Sequence, residues 1–109
     1  MKKLIAIALL TLSTAASATF YTGNDLKNRL DGGDSHQGML VLGYVAGVVD
    51  LGRGDYHCAP EGVTLGQLRD IAYASINRDP SSRHLTASVL VTMSLINMWP
   101  CPKKKGGNL

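Results

Sequence analysis

From Ser35 to Leu51 the chain runs for seventeen residues without a proline, a lysine or an arginine. Met39, Leu40, Val41, Leu42, Tyr44, Val45, Ala46, Val48 and Val49 make this run apolar with few breaks. Its valines would suit a buried strand pair. Length decides for a helix, because strands rarely exceed about ten residues and no turn interrupts the run. Gly43 and Gly47 lie four apart on one face of that helix, beside Ala46 and Asp50. Glycine costs helix stability, so the pair predicts that a neighbouring helix approaches closely there. A transmembrane dimer motif is a sharper reading, but the run is too short for it.

The flanking segments also read as helices. Thr22-Gly23-Asn24-Asp25 is a start signal, with Thr22 or Asn24 as the cap, and Gly32-Gly33 stops the short helix that follows. Asp34-Ser35 offers the cap of the long helix. Gly52 to Val63 is a loop. Thr64-Leu65-Gly66-Gln67 then matches a capping box. Leu65, Leu68, Ile71, Ala72, Ser75 and Ile76 form one face of the next helix. Asn77-Arg78-Asp79-Pro80 ends it, and Asp79 with Pro80 is also a cap and first-turn proline for a last helix. That helix is expected to run to about Met98, with Val89, Leu90, Met93, Leu95 and Ile96 buried, and to stop at Pro100. Four helices and no hairpin predict a small all-α bundle.

The N-terminus predicts export. Lys2-Lys3 is a positive start, Leu4 to Leu12 an apolar run of about nine residues, and Ala16-Ser17-Ala18 an A-x-A cleavage site. Residues 1–18 therefore read as a secretory signal peptide for a bacterial periplasm. Residues 19–102 then form one domain, with no membrane association after cleavage, and 103–109 a mobile basic tail. In an oxidising compartment two cysteines permit one pairing, so Cys58 and Cys101 are expected to be bonded. The chain-entropy relation gives such a loop about 4 kcal/mol of stabilisation, useful to a domain with a modest core. His57-Cys58 with a distant Cys101 is too poor a ligand set for a structural metal. The two cysteines are also too far apart in sequence for a redox dithiol.

The formal charge of +3 suggests a nucleic-acid binder until the charges are located. Lys2 and Lys3 lie at one terminus, and Lys103, Lys104 and Lys105 at the other. Between Thr19 and Pro102 six basic residues face eight acidic ones, which leaves no surplus of basic charge for phosphates. His36, His57 and His84 have no metal spacing and read as solvated loop or cap residues. Gly52-Arg53-Gly54-Asp55 lacks the end of a phosphate loop, and no nucleophile elbow is present. Asp50 reads as a helix-end carboxylate bonded to a neighbouring loop. No enzyme, cofactor or metal site is expected.

The ordered features resemble a known family. They are Thr22-Gly23-Asn24-Asp25-Leu26, then Gly43-Tyr44-Val45-Ala46-Gly47-Val48-Val49-Asp50, then Cys58-Ala59-Pro60-Glu61-Gly62-Val63-Thr64-Leu65-Gly66-Gln67-Leu68, then Pro80 with Arg83-His84, and finally Trp99-Pro100-Cys101. Over about Phe20 to Cys101 the chain resembles the Rap/Tai immunity proteins of bacterial type VI secretion. The resemblance implies an all-helical periplasmic protein that binds a toxic effector, often a peptidoglycan amidase, and blocks its active site. It also implies a homodimer. Many relatives carry a second cysteine pair near Leu30 and Val41, which this chain lacks. A small periplasmic stress chaperone with one disulfide is the alternative, although so few lysines in the core give an acid switch little material.

Apolar residues around more than one helical face agree with pairing of two copies, through the helix of Gly43 and Gly47 or through the last helix. An inhibitor should present something rigid, because ordering a loop costs affinity. Arg78, Asp79, Ser81, Ser82, Arg83 and His84, in the short turn around Pro80, are the expected effector contacts. Asp55, Tyr56 and Glu61 are expected to flank them, Tyr56 as an aromatic anchor.

Overall fold

The computed structural model describes residues 19–103, so the expected signal peptide and the basic tail from 104 onward lie outside the described residues. Four α-helices form among the described residues: α1 (Gly23–Asp31), α2 (Ser35–Gly52), α3 (Leu65–Arg78) and α4 (Ala87–Met98). A single 3-10 turn, Pro80–Ser82, separates α3 from α4. The described residues contain no strand, only isolated bridges between Thr22 and Thr86 and between Arg53 and His57. The all-α expectation holds.

Local chemistry sets the starts of α1, α2 and α3. Thr22 Oγ1 accepts the Asp25 N–H at 3.2 Å, and an Asp25 carboxylate oxygen accepts the Thr22 N–H at 2.8 Å. Asp34 caps α2 by accepting the His36 N–H at 2.8 Å. Thr64 and Gln67 exchange the same pair of bonds at the start of α3, at 2.8 and 3.1 Å. Such reciprocal caps satisfy donors that a helix N-terminus otherwise leaves to water.

Each helix sends one ridge inward. Leu26 from α1, Val41, Val45 and Val49 from α2, Leu68, Ala72 and Ile76 from α3, and Ala87, Val91 and Leu95 from α4 make the core, joined by Ala59. The four-residue spacing within α2, α3 and α4 is the i, i+4 row that packs helix on helix. Leu30 packs against this core and Val41 belongs to it, so both positions are apolar where the resemblance would place a second cysteine pair. Cys58 and Cys101 are bonded, as expected, with their Cα atoms 4.9 Å apart. The Cys58 N–H also reaches the Trp99 carbonyl at 2.9 Å, so the loop after α2 is tied to the end of α4 twice.

Three expectations need correction. The last helix does not begin at Pro80. Asp79 caps only the 3-10 turn, and helix resumes at Ala87. The break has a tertiary cause. The Arg83 and Leu85 carbonyls accept the Asn24 and Gly23 N–H groups at 2.8 and 3.0 Å, and the Tyr21 carbonyl accepts the Ala87 N–H at 2.8 Å. Backbone groups that a continuous helix would pair internally are paired with the start of α1 instead. The resumed helix also faces differently. Ala87, Val91, Ser94 and Leu95 are buried, while Val89 and Met93 are about half exposed.

The third correction concerns Gly43 and Gly47. Both are exposed, and a Cβ added at either would meet nothing within 4 Å. No described helix packs on them. The close approach in fact occurs at Gly23, where a Cβ would lie 2.5 Å from Leu90 Cδ1 and 3.0 Å from the Arg83 carbonyl oxygen. Only glycine lets the start of α1 sit this near the segment before α4.

Candidate effector-binding surface

The turn between α3 and α4 is held from inside and outside. Asp79 Oδ1 accepts the Ser81 N–H at 3.2 Å and the Ser81 hydroxyl at 2.5 Å. The Ser82 hydroxyl donates to the Asp79 carbonyl at 3.2 Å. The Ser81 hydroxyl is the largest cause holding the Asp79 carboxyl below the usual aspartate range. Arg83 does not face outward as an effector contact would. Its Nε and Nη2 donate to the Ile76 and Asn77 carbonyls at 2.9 and 2.8 Å. A guanidinium on the last carbonyls of α3 satisfies acceptors that the helix leaves open, and its charge suits that end of the dipole. The same residue's carbonyl holds Asn24, so Arg83 joins α3, the turn and α1.

Of the expected contacts in this turn, Asp79, Ser81, Ser82 and Arg83 are thus engaged within the chain. Arg78 and His84 are exposed, with no side-chain hydrogen bond or ion pair among the described residues. Arg78 and Asp79 border a cleft of about 440 Å³ with Ile71, Ser75, Ser94, Asn97 and Met98. It mixes a cation, a carboxylate, hydroxyls and an amide with apolar walls.

Asp55, Tyr56 and Glu61 are exposed, but Tyr56 does not flank that cleft. It borders a second groove, of about 310 Å³, with Val48, Leu51, Gly52, Ser88, Val89, Thr92 and Met93. The two clefts share no lining residue, and Ser94 and Met98 lie about 140° and 180° around α4 from Val89, at 100° per residue. The two expected contact regions therefore belong to two surfaces. The second groove was not legible as such, because Val89 and Met93 read as core. Tyr56, expected as an aromatic anchor, was its one sequence signal.

The loop beneath Tyr56 is built on a buried histidine. His57 is fully buried, contrary to the solvated reading. Its Nε2 lies 3.2 Å from the Val49 carbonyl, and its Nδ1 accepts the Ala59 N–H at 3.3 Å. These partners assign the neutral tautomer with hydrogen on Nε2. Gly54, at φ +87°, makes the turn that brings its N–H to the His57 carbonyl at 2.8 Å. Asp50, expected to bond a loop, is exposed and holds no side-chain hydrogen bond among the described residues.

Among the described residues no group of three or more His, Cys, Asp or Glu could hold a metal ion. No described helix is long and apolar enough to cross a membrane. The described residues thus make a small disulfide-tied helical domain with a braced turn and several surface clefts. The family model of the Rap1a immunity proteins matches residues 22–101, and the chain belongs to that family. No curated protein matches the sequence closely enough to count as a relative.

Proposed function

We propose that this chain is an exported periplasmic immunity protein that neutralises an antibacterial effector of type VI secretion. The effector is a peptidoglycan amidase, and the immunity protein blocks its active site with the turn from Arg78 to His84. The observation that carries this reading is the bracing of that turn by Arg83 on the Ile76 and Asn77 carbonyls. A turn already fixed in the free protein loses little conformational entropy on docking. Arg78 and His84 supply polar groups that no described residue occupies, and the Arg78 cleft supplies a mixed polar and apolar wall. Family membership supports the effector as the partner. The amidase, the periplasm and the homodimeric state rest on the resemblance and on the N-terminal sequence.

The test is co-expression with a periplasm-directed amidase effector. The parent chain should relieve lysis, and Arg78→Glu and His84→Glu should lose protection while keeping the parent's thermal midpoint. If both variants fold and protect as well as the parent, the turn is not the inhibitory surface. If the chain instead suppresses aggregation of unrelated proteins on acidification and spares no effector target, the chaperone alternative takes its place. Subcellular fractionation of a tagged full-length chain checks export, with the processed form expected in the periplasmic fraction.

A further inference from the structure

Gly23, the first residue of α1, is buried. A Cβ there would lie 2.5 Å from Leu90 Cδ1, 3.0 Å from the Arg83 carbonyl oxygen and 3.2 Å from Arg83 Cα. These contacts differ in kind. Leu90 Cδ1 is the tip of a side chain, which can turn to another rotamer. The Arg83 atoms are backbone, and they would have to give by a few tenths of an ångström. That backbone belongs to the turn that carries Arg78 and His84 at its two ends.

The contact is one point on a seam. Thr22 and Thr86 form an antiparallel bridge. Gly23 donates its N–H to the Leu85 carbonyl at 3.0 Å, Asn24 donates to the Arg83 carbonyl at 2.8 Å, and Ala87 donates to the Tyr21 carbonyl at 2.8 Å. Residues 21–24 and 83–87 thus run backbone against backbone. On its other side Arg83 holds α3 through the Ile76 and Asn77 carbonyls. Arg78 is the last residue of α3, whereas His84 belongs to the seam. How closely the seam closes therefore sets the spacing between them, and a side chain at position 23 would hold it open. We propose that Gly23 is a positioning residue of the effector-binding surface, fixing where His84 stands relative to Arg78. This inference rests on the reading of the Arg78–His84 turn as the inhibitory surface. It adds that α1, which carries none of the expected contacts, decides the pose of that surface. Binding groups need to be held within about 0.5 Å of their productive geometry, so a displacement of a few tenths reaches affinity. Alanine at 23 adds no polar group and favours helix more than glycine does, so the fold should hold while the pose moves.

The experiment uses the full chain expressed for export, with Cys58 and Cys101 bonded, and the periplasm-directed amidase effector as the probe. Gly23→Ala is compared with Gly32→Ala, at the other end of α1, where φ is −68° and a Cβ would meet only ordinary contacts at 3.4 and 3.9 Å. The thermal midpoint, amide hydrogen exchange at residues 23 and 24, and effector affinity are read for each. Gly23→Ala should keep a midpoint near the parent's, exchange those amides at least about tenfold faster and bind effector at least about tenfold more weakly. Gly32→Ala should match the parent in exchange and affinity. The Gly23→Ala, Leu90→Ala double variant separates the two obstacles, and it should bind more weakly than Leu90→Ala alone. Equal binding would mean that Gly23 acts through the Leu90 side chain and not through the turn, which overturns the proposal. Parent-like exchange in Gly23→Ala overturns it whatever the effector does. Faster exchange with parent-like affinity also overturns it, and leaves the inhibitory-turn reading standing if Arg78→Glu and His84→Glu still lose binding. A parent that binds no amidase overturns that reading and this inference together. In the parent, effector binding should slow exchange at residues 23 and 24, because coupling between two sites is reciprocal. Unchanged exchange there in the complex overturns the proposal even where Gly23→Ala fails to fold.

Discussion

Arg83 shows how one side chain can fix a surface it does not itself present. Its guanidinium holds two carbonyls at the end of α3, and its own carbonyl holds Asn24 at the start of α1. Arg83→Met keeps the length of the side chain and removes every donor. The two carbonyls then return to water or stay unpaired, at a cost of about 1.5–3 kcal/mol for bonds to a charged group. Urea unfolding should show that loss, and Arg83→Lys should recover only part of it, since an ammonium lacks the planar fork. A parent-like midpoint for Arg83→Met would mean that the clamp contributes nothing to the fold. His57 escaped the sequence reading for a related reason. Both residues are polar types whose partners are backbone groups, and no side-chain pattern announces a backbone partner. Cys58 and Cys101 were legible because two cysteines leave one pairing and the N-terminal sequence predicted an oxidising destination.

At the scale of elements, legibility follows the range of the interaction. Thr22, Asp34 and Thr64 cap their helices with neighbours two or three residues away, and those starts could be read directly. The start of α4 could not, because Tyr21, Gly23 and Asn24 set it from some sixty residues earlier in the chain. Its inward face could not be read either. Val89, Leu90, Val91, Met93, Leu95, Ile96 and Met98 place apolar groups on every side, so periodicity gives no direction. The two threonines at helix starts separate these cases by experiment. Thr64 exchanges cap bonds with Gln67, whereas Thr86 makes no side-chain cap bond. Thr64→Ala should cost about 1 kcal/mol and Thr86→Ala a few tenths, because the Thr86 segment is held through its backbone. Equal losses in thermal unfolding would mean that α4 depends on a side-chain cap after all. The candidate turn was legible from Asp79 and Pro80. The groove at Tyr56 was not, since Val89 and Met93, which line it, read as core.

For the whole molecule, acid sensitivity follows from two carboxylates, Asp31, which ties α1 to α3, and Asp79, which closes the turn after α3. Asp31, at the end of α1, accepts hydrogen bonds from Lys27 and from Tyr73 of α3. The Lys27 bond is the largest cause holding its carboxyl below the usual aspartate range, followed by the Tyr73 bond. Asp79 is held below that range chiefly by the Ser81 hydroxyl. A carboxyl that is harder to protonate in the folded chain than in the unfolded one stabilises the fold above the ordinary value of about 3.9. That contribution falls away as the pH drops through the lower, folded-state value. Both groups are exposed, so salt should diminish the effect. The disulfide does not titrate and keeps constraining the unfolded chain throughout. The Asp31→Asn, Asp79→Asn double variant should therefore unfold at lower urea than the parent at pH 7, and the gap should close by about pH 2. Adding Cys58→Ala and Cys101→Ala to the parent should lower stability by about 4 kcal/mol at both pH values, if loop entropy is the whole of the effect. Urea midpoints followed by helical circular dichroism at the two pH values read both comparisons. A gap between parent and asparagine variant that persists at pH 2 would show that these side chains act through shape and not through charge. A disulfide effect that shrinks with acid would show that the acid-unfolded chain is already compact around Cys58 and Cys101.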